Sequence, residues 1–184
     1  MQLKSLAPHS EYHTRLLQPP DIPALQLLFE RAADYFVVAT GVSPRKDEAK
    51  LAFVAGPPTR AVDDKRMIGV FDSRDELAGI LDVLAGFPDE GEWTMGMLLL
   101  DPSQRGSGLG RVLLREYESW AAQCGARRLH TALVSDHAPG IRFLEASGYA
   151  RQYEVENYDA GGRRATVVFF SKETEHVPQA ELDG

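Results

Sequence analysis

Between an apolar run and an amphipathic one lies Gln104-Arg105-Gly106-Ser107-Gly108-Leu109-Gly110, with glycine at three alternate positions. Glycine lets a backbone turn sharply and bring its N–H groups close to a ligand. The first turn of a following helix adds N–H groups without helical partners and the positive end of the helix dipole. Together these suit a phosphate or pyrophosphate. Arg105, Arg111 and Arg115, with Arg127 and Arg128 further on, outnumber Glu116 and Glu118, so a basic island lies on a chain of net charge -7. Two other phosphate loops do not fit. A P-loop needs Lys and Ser or Thr after its last glycine, where this chain has Arg111-Val112. A dinucleotide fingerprint needs a third glycine where this chain has Arg111. A glycine-rich turn without a ligand is the remaining alternative.

Proton transfer is the second chemistry. Asp82 interrupts the run Ile80-Leu81-Asp82-Val83-Leu84, where a charge is costly unless exposed, paired or used. If the surrounding hairpin folds symmetrically about Asp89, Asp82 stands opposite Gly96 and shares a face with Glu92 and Thr94. Two carboxylates would then gather above a small residue, which makes Asp82 and Glu92 candidate general bases. Solvent on a half-exposed sheet accounts for either one equally simply. Cys124 continues the helical spacing of Leu109, Val112, Leu113, Tyr117, Trp120 and Ala121 and reads as core, not nucleophile. Trp93 also reads as core. His9, His13, His130 and His176 lack ligand spacing, so no metal is expected.

Periodicity supplies the elements that must position these groups. Tyr12–Leu17 reads as a strand. Asp21 caps a helix with Pro23 in its first turn and Leu25, Leu28, Phe29 and Ala32 on one face. A second helical stretch opens at Ser43-Pro44 and stops at Gly56-Pro57-Pro58, and Thr59–Asp64 reads as loop. Arg66–Asp72, Leu77–Phe87 and Glu92–Leu100 read as an antiparallel meander turning at Ser73-Arg74-Asp75 and Pro88-Asp89-Glu90-Gly91. The helix after the glycines runs to Gly125. Arg128–Val134 then reads as a strand parallel to Glu92–Leu100, because a helix separates the two. A short helix covers Ile141–Ser147, and a last hairpin pairs Tyr149–Tyr158 with Ala165–Ser171 across Gly161-Gly162. Residues 172–184 are polar and read as a frayed tail.

No repeat or linker divides the chain, so residues 1–184 are expected to form one domain. A hydrophobic share of 43% and a charged share of 26% are ordinary for a globular protein. The acidic balance argues against nucleic acid and favours cationic substrates such as amines. No apolar run approaches the roughly 20 residues that cross a bilayer, and the N-terminus lacks the apolar core of a signal peptide. A single cysteine fits a reducing compartment. The expectation is a cytoplasmic protein, off the membrane, with a homodimer as the default assembly.

Arg105-x-x-Gly108-x-Gly110 resembles the acyl-CoA signature of the GNAT superfamily, Gln/Arg-x-x-Gly-x-Gly/Ala, and Leu98-Leu99-Leu100-Asp101-Pro102 is similar to that family's fourth strand. His137-Ala138-Pro139-Gly140-Ile141-Arg142-Phe143-Leu144-Glu145-Ala146-Ser147-Gly148-Tyr149 resembles its second signature, Asn-x-x-Ala-x-x-Phe-Tyr-x-x-x-Gly-Phe. The resemblance covers roughly Lys65 to Ser171, and the first sixty residues match only in outline. It implies an α/β (α+β) fold: a mixed, mostly antiparallel sheet of about six to seven strands, splayed between the fourth and fifth, with about four helices. It also implies acetyl-CoA as co-substrate. Backbone groups at Leu98, Leu99 and Leu100 would bond the pantetheine arm, and Arg105 with the N–H groups of Gly106, Ser107, Gly108, Leu109 and Gly110 would hold the pyrophosphate.

Two departures from the second signature stand out. His137 replaces the frequent Asn, and either contacts CoA or begins the helix. Leu144 replaces the Tyr that in many members protonates the departing thiolate; Tyr149 and Tyr153 are substitutes. The activity implied is transfer of acetyl to a primary amine of a small molecule, amino acid or peptide, by direct attack in a ternary complex. A non-catalytic acyl-CoA sensor or regulator, and a transferase of a longer acyl group such as succinyl, are the other readings.

Overall fold

The computed structural model describes residues 11–55 and 65–174. The three runs read as a meander form one: β2 (Lys65–Phe71), β3 (Leu77–Leu84) and β4 (Glu92–Leu100) pair antiparallel in that order, and β1 (His13–Leu16) pairs antiparallel with β2 on its outer side. Beyond them the chain adds β5 (Arg128–Val134), β6 (Ala150–Asp159) and β7 (Arg164–Glu173), giving one seven-stranded sheet of order β1-β2-β3-β4-β5-β7-β6. Five α-helices flank it: α1 (Ile22–Arg31), α2 (Ala33–Thr40), α3 (Glu48–Val54), α4 (Leu109–Gln123) and α5 (Ala138–Ala146). Among the described residues no helix is long and apolar enough to cross a membrane.

Alternation along the strands assigns the two faces. Leu81, Val83, Trp93, Met95, Leu129, Val168 and Phe170 pack on Leu114, Tyr117 and Ala121 of α4. Met67, Phe71, Leu77, Ile80 and Leu99 pack on the opposite side against Leu25, Leu28, Phe29, Ala32 and Phe36. The apolar face read for the first helix is therefore the buried one, and Trp93 is core, its ring edge-on to Trp120 at 4.9 Å.

Two irregularities in the middle of the sheet make room for a site. The β3–β4 register is symmetric about Asp89 only as far as Leu84↔Thr94 and Val83↔Met95; it then slips by one, so that Asp82 faces Met97. The expected pairing of Asp82 with Gly96 is thus corrected: Gly96 is the extra residue of a bulge, which shifts the side-chain alternation of the rest of β4 by one. Parallel pairing of β4 with β5 runs from Glu92↔Arg128 to Met95↔Thr131 and stops, although both strands continue. β5 stays paired with β7 along its whole length. The sheet splays from Gly96 onward.

Several boundaries differ from expectation. Asp21 accepts from the Gln18 N–H at 2.7 Å and caps a 3-10 turn at Pro19–Asp21, and α1 follows. At Ala32 (φ -96, ψ 31) the chain leaves helical geometry and re-enters it as α2, an element the sequence did not announce. The next helix begins only at Glu48, leaving Ser43-Pro44 in the connection; its stop at Gly56–Pro58 and the loop Thr59–Asp64 lie outside the described residues. β3 ends at Leu84 rather than Phe87, since Gly86 takes φ +66, which a strand cannot continue. α5 starts at Ala138, with Pro139 accommodated in its first turn. Lys172 and Glu173, assigned to the tail, belong to β7 and are held by Glu118 (2.7 Å) and Arg128 (2.6 Å); residues 175–184 lie outside the described part. Cys124 is exposed, not core, because α4 ends at Gln123 and the apolar stripe outruns it.

Candidate active site

The splay opens a cavity of about 720 Å³. Its walls are Met95–Leu100 of β4, Thr131–Leu133 of β5, the glycine loop, the first turns of α5, and Asp34, Tyr35 and Val38 of α2. Leu98, Leu99 and Leu100 lie on the stretch of β4 that has lost its β5 partner, so their backbone groups on that side face the cavity.

The glycine loop is anchored at both ends. Asp101 accepts from the Ser103 N–H (2.9 Å) and hydroxyl (2.7 Å) and starts the tight turn Pro102–Gln104. Gly106 (φ +78) and Gly108 (φ +92) occupy left-handed geometry, and a Cβ on either would meet nothing within 4 Å. Among the described residues no partner meets the N–H groups of Gly106, Ser107, Gly108 or Gly110. Leu109 differs: its side chain is fully buried and its N–H donates to the Ser107 hydroxyl at 3.3 Å. Arg105 donates to Leu100 O (3.3 Å) and closes a two-point ion pair with Asp34 of α2, one contact at 3.0 Å, which holds the Asp34 carboxyl below the usual range.

The basic island is smaller than its sequence suggests. Arg127 donates to Glu90 O at 3.1 Å, and Arg128 pairs with Glu173 and Glu92, at the end of β5 away from the splay. Of the five arginines only Arg105 and Arg111 line the cavity.

His137 begins the helix, one of the two roles the sequence left open to it. Its Nδ1 accepts the Gly140 N–H at 2.9 Å and caps α5, which puts the proton of the neutral ring on Nε2. A Cβ on Gly140 would fall 2.3 Å from that Nδ1, so glycine is needed for this approach. The same ring lines the cavity, edge-on to Tyr35 at 5.9 Å between centroids.

The two carboxylates are held apart by different partners. Asp82 lies beside the bulge, with its Oδ2 3.6 Å from where a Gly96 Cβ would stand; Gly96 lines the cavity, and Asp82 itself is not part of the wall. Lys65 pairs with it at 3.1 Å and also donates to Ala52 O (2.5 Å) and Ala55 O (2.7 Å) at the end of α3. Burial raises the Asp82 pKa above the ordinary carboxylate value, against the opposing pull of Lys65. Glu92 instead contacts His130 (2.9 Å) and Arg128 (3.7 Å) and is not part of the cavity wall.

Leu144 lines the cavity, whereas Tyr149 and Tyr153 do not. Tyr149 is buried with the Lys172 ammonium 5.7 Å over its ring, and Tyr153 is exposed on β6, stacked on Phe169 at 4.6 Å. The phenol that does reach the cavity is Tyr35, its pKa pushed up to about 12 by burial and then by the charge of Asp82. Sequence reasoning did not single it out; Phe36 is fully in the core, and Tyr35 is partly buried against the same cluster while also lining the cavity. Among the described residues no group of His, Cys, Asp or Glu is placed to hold a metal.

A sheet split beside a glycine loop that opens a helix defines an acyl-CoA transferase architecture. The chain belongs to the acetyltransferase (GNAT) family, whose model matches residues 25–149. Solved structures share the fold. An acetyltransferase of Thermus thermophilus is 23% identical with a TM-score of 0.68, over 94% of this chain and 99% of that one. The ribosomal-protein-S18-alanine N-acetyltransferase of Escherichia coli is 16% identical with a TM-score of 0.68, over 91% and 97%. The spermidine N-acetyltransferase of Vibrio cholerae, in complex with CoA and spermine, is 13% identical with a TM-score of 0.64, over 90% and 96%. No curated protein matches the chain in sequence.

Proposed function

We propose that this enzyme transfers the acetyl group of acetyl-CoA to a primary amine by direct attack in a ternary complex. The observation that carries the reading is the coincidence, in one cavity, of three features. These are a strand edge freed of its partner, a loop of unpartnered N–H groups at a helix start, and the side-chain-free bulge residue Gly96 beside the half-buried carboxylate of Asp82. The N–H groups of Gly106, Ser107, Gly108 and Gly110 and the N-terminus of α4 suit the pyrophosphate. The freed edge at Leu98–Leu100 suits the amides of the pantetheine arm, and the thioester then lies near Gly96.

In that pose the amine nitrogen attacks the thioester carbonyl carbon; a C–N bond forms, the C–S bond breaks, and the amine proton passes to Asp82, directly or through one water. Asp82 is the better base of the two candidates because its carboxylate lies beside Gly96, a cavity-lining residue without a side chain, while Glu92 sits at the far end of β4 with His130 and Arg128. The sulfur leaves as a thiolate of pKa about 8.5, which needs no full protonation. Tyr35, protonated at neutral pH and lining the same cavity, would donate to the sulfur or orient the amine. The test is thiol release from acetyl-CoA across a panel of primary amines, with succinyl-CoA as a competing donor. Acetyl-CoA-dependent release supports the reading. Tight acetyl-CoA binding without release from any amine makes the protein a sensor, and preference for succinyl-CoA changes the donor.

A further inference from the structure

A second hollow of about 250 Å³ lies beside the cavity, and Tyr35, Ala132, Leu133 and His137 line both. It lies on the α2 side of the sheet. Register and alternation put Ala132 beside Phe169 and Val134 beside Val167, on the face opposite Leu129, Val168 and Phe170. Ala39 and Thr40 of α2 roof it, and Tyr158 and Ala160 at the hairpin end close it. Arg163 fixes that wall to α2, donating to Val38 O at 2.5 Å while pairing with Asp136.

Its chemistry is one-sided. Among the described residues that line it, none is Asp, Glu, Lys or Arg. The carboxylates nearest the acyl-transfer region all hold cations already: Asp34 with Arg105, Asp82 with Lys65, Asp136 with Arg163. A second ammonium on the acceptor would enter an apolar hollow without a free counter-charge, which is costly. A substrate carboxylate would equally find no free cation there. Apolar cavities of about 150 Å³ accommodate benzene, so this hollow has room for a ring and a short linker, and Tyr35, Tyr158 and Phe169 offer aromatic walls for edge or face contact.

We infer that the hollow is the acceptor's side-arm pocket, and that the acceptor is a monoamine bearing one aryl group on a short uncharged linker. This rests on the transferase reading above and adds the substrate class to it. Phenethylamine, propylamine and spermidine, each with acetyl-CoA and thiol-release detection, separate the two claims. Phenethylamine should exceed both others in kcat/KM by at least about tenfold, since burying a ring outweighs a propyl chain. Ala39→Phe, which fills the hollow, should lower the phenethylamine-to-propylamine ratio of kcat/KM about tenfold, with retained acetyl-CoA-induced stabilisation as the check on folding. Thr40→Asp, which adds a carboxylate there, should shift preference toward spermidine. Spermidine preferred by the wild type, or phenethylamine no better than propylamine, overturns the substrate class while leaving the transferase intact. An unchanged ratio in folded Ala39→Phe overturns the pocket. Absence of release with every amine overturns the transferase reading itself.

Discussion

Gly108→Val separates the role of the glycine loop in folding from its role in binding. Gly108 sits at φ +92, ψ -11 as the residue that begins α4, and no atom lies within 4 Å of where its Cβ would be. The Cβ of valine therefore meets no clash, and the cost expected is that of the left-handed backbone, about 1–2 kcal/mol. For a chain of this size about 1 kcal/mol lowers Tm by about 2–4 °C, so the apo variant should melt about 2–8 °C below wild type and still fold. In the proposed pose, the same open space is where the pyrophosphate approaches the loop amides. Losing two charge-assisted hydrogen bonds of about 1.5–3 kcal/mol each weakens binding by at least about a hundredfold. Calorimetric titration with acetyl-CoA and a circular-dichroism melt read the two effects separately. Gly110→Ala is the comparator: it has no positive φ, and its Cβ would stand 3.5 Å from Leu100 Cδ1, an ordinary contact, so its Tm should match or exceed wild type. A folded Gly108→Val protein with wild-type affinity for acetyl-CoA would refute the site.

Asp82→Asn should lower turnover at neutral pH by about 10²–10⁴ with little change in acetyl-CoA affinity, and the defect should shrink at alkaline pH, where more free amine arrives deprotonated. Glu92→Gln is the control, and a larger loss there moves the base assignment to Glu92. Because burial raises the folded-state pKa of Asp82 above its unfolded value, the ionised form costs stability as pH rises through that raised value. Asn does not titrate, so the variant's Tm should gain on wild type as pH rises above the ordinary carboxylate value of about 4, and a gap independent of pH would contradict the burial. His137→Ala removes the acceptor that caps α5 and should cost about 0.5–2 kcal/mol, read by denaturant unfolding, whereas His137→Asn keeps an acceptor and most of the stability. Cys124 is exposed, with burial of its surroundings raising its pKa, so the native protein should release one equivalent to a disulfide reagent, slowly at neutral pH and faster in base. A requirement for denaturant would return Cys124 to the core.

Elements whose evidence is local were legible in the chain before any folding was known. Alternation identified the meander, helical spacing identified α4 and the buried face of α1, and positive-φ glycines marked the loop before α4 and the last hairpin. The glycine loop was legible as a site because its requirement is local too: a backbone angle few residues tolerate, next to a helix start. Facts depending on which distant groups meet came from the folded molecule alone. A one-residue bulge at Gly96 moved Asp82 from Gly96 to Met97 and placed its carboxylate under the splay, a register change invisible to a pattern of period two. Arg127 and Arg128 count as basic in sequence, yet Glu90, Glu92 and Glu173 claim them far from the loop. Tyr35 sits in an element with no amphipathic stripe to reveal it. That its ring, partly buried against the cluster holding Phe36, also lines the cavity depends on α2 lying against β5 beside the splay, a long-range packing choice that no window of neighbouring residues encodes.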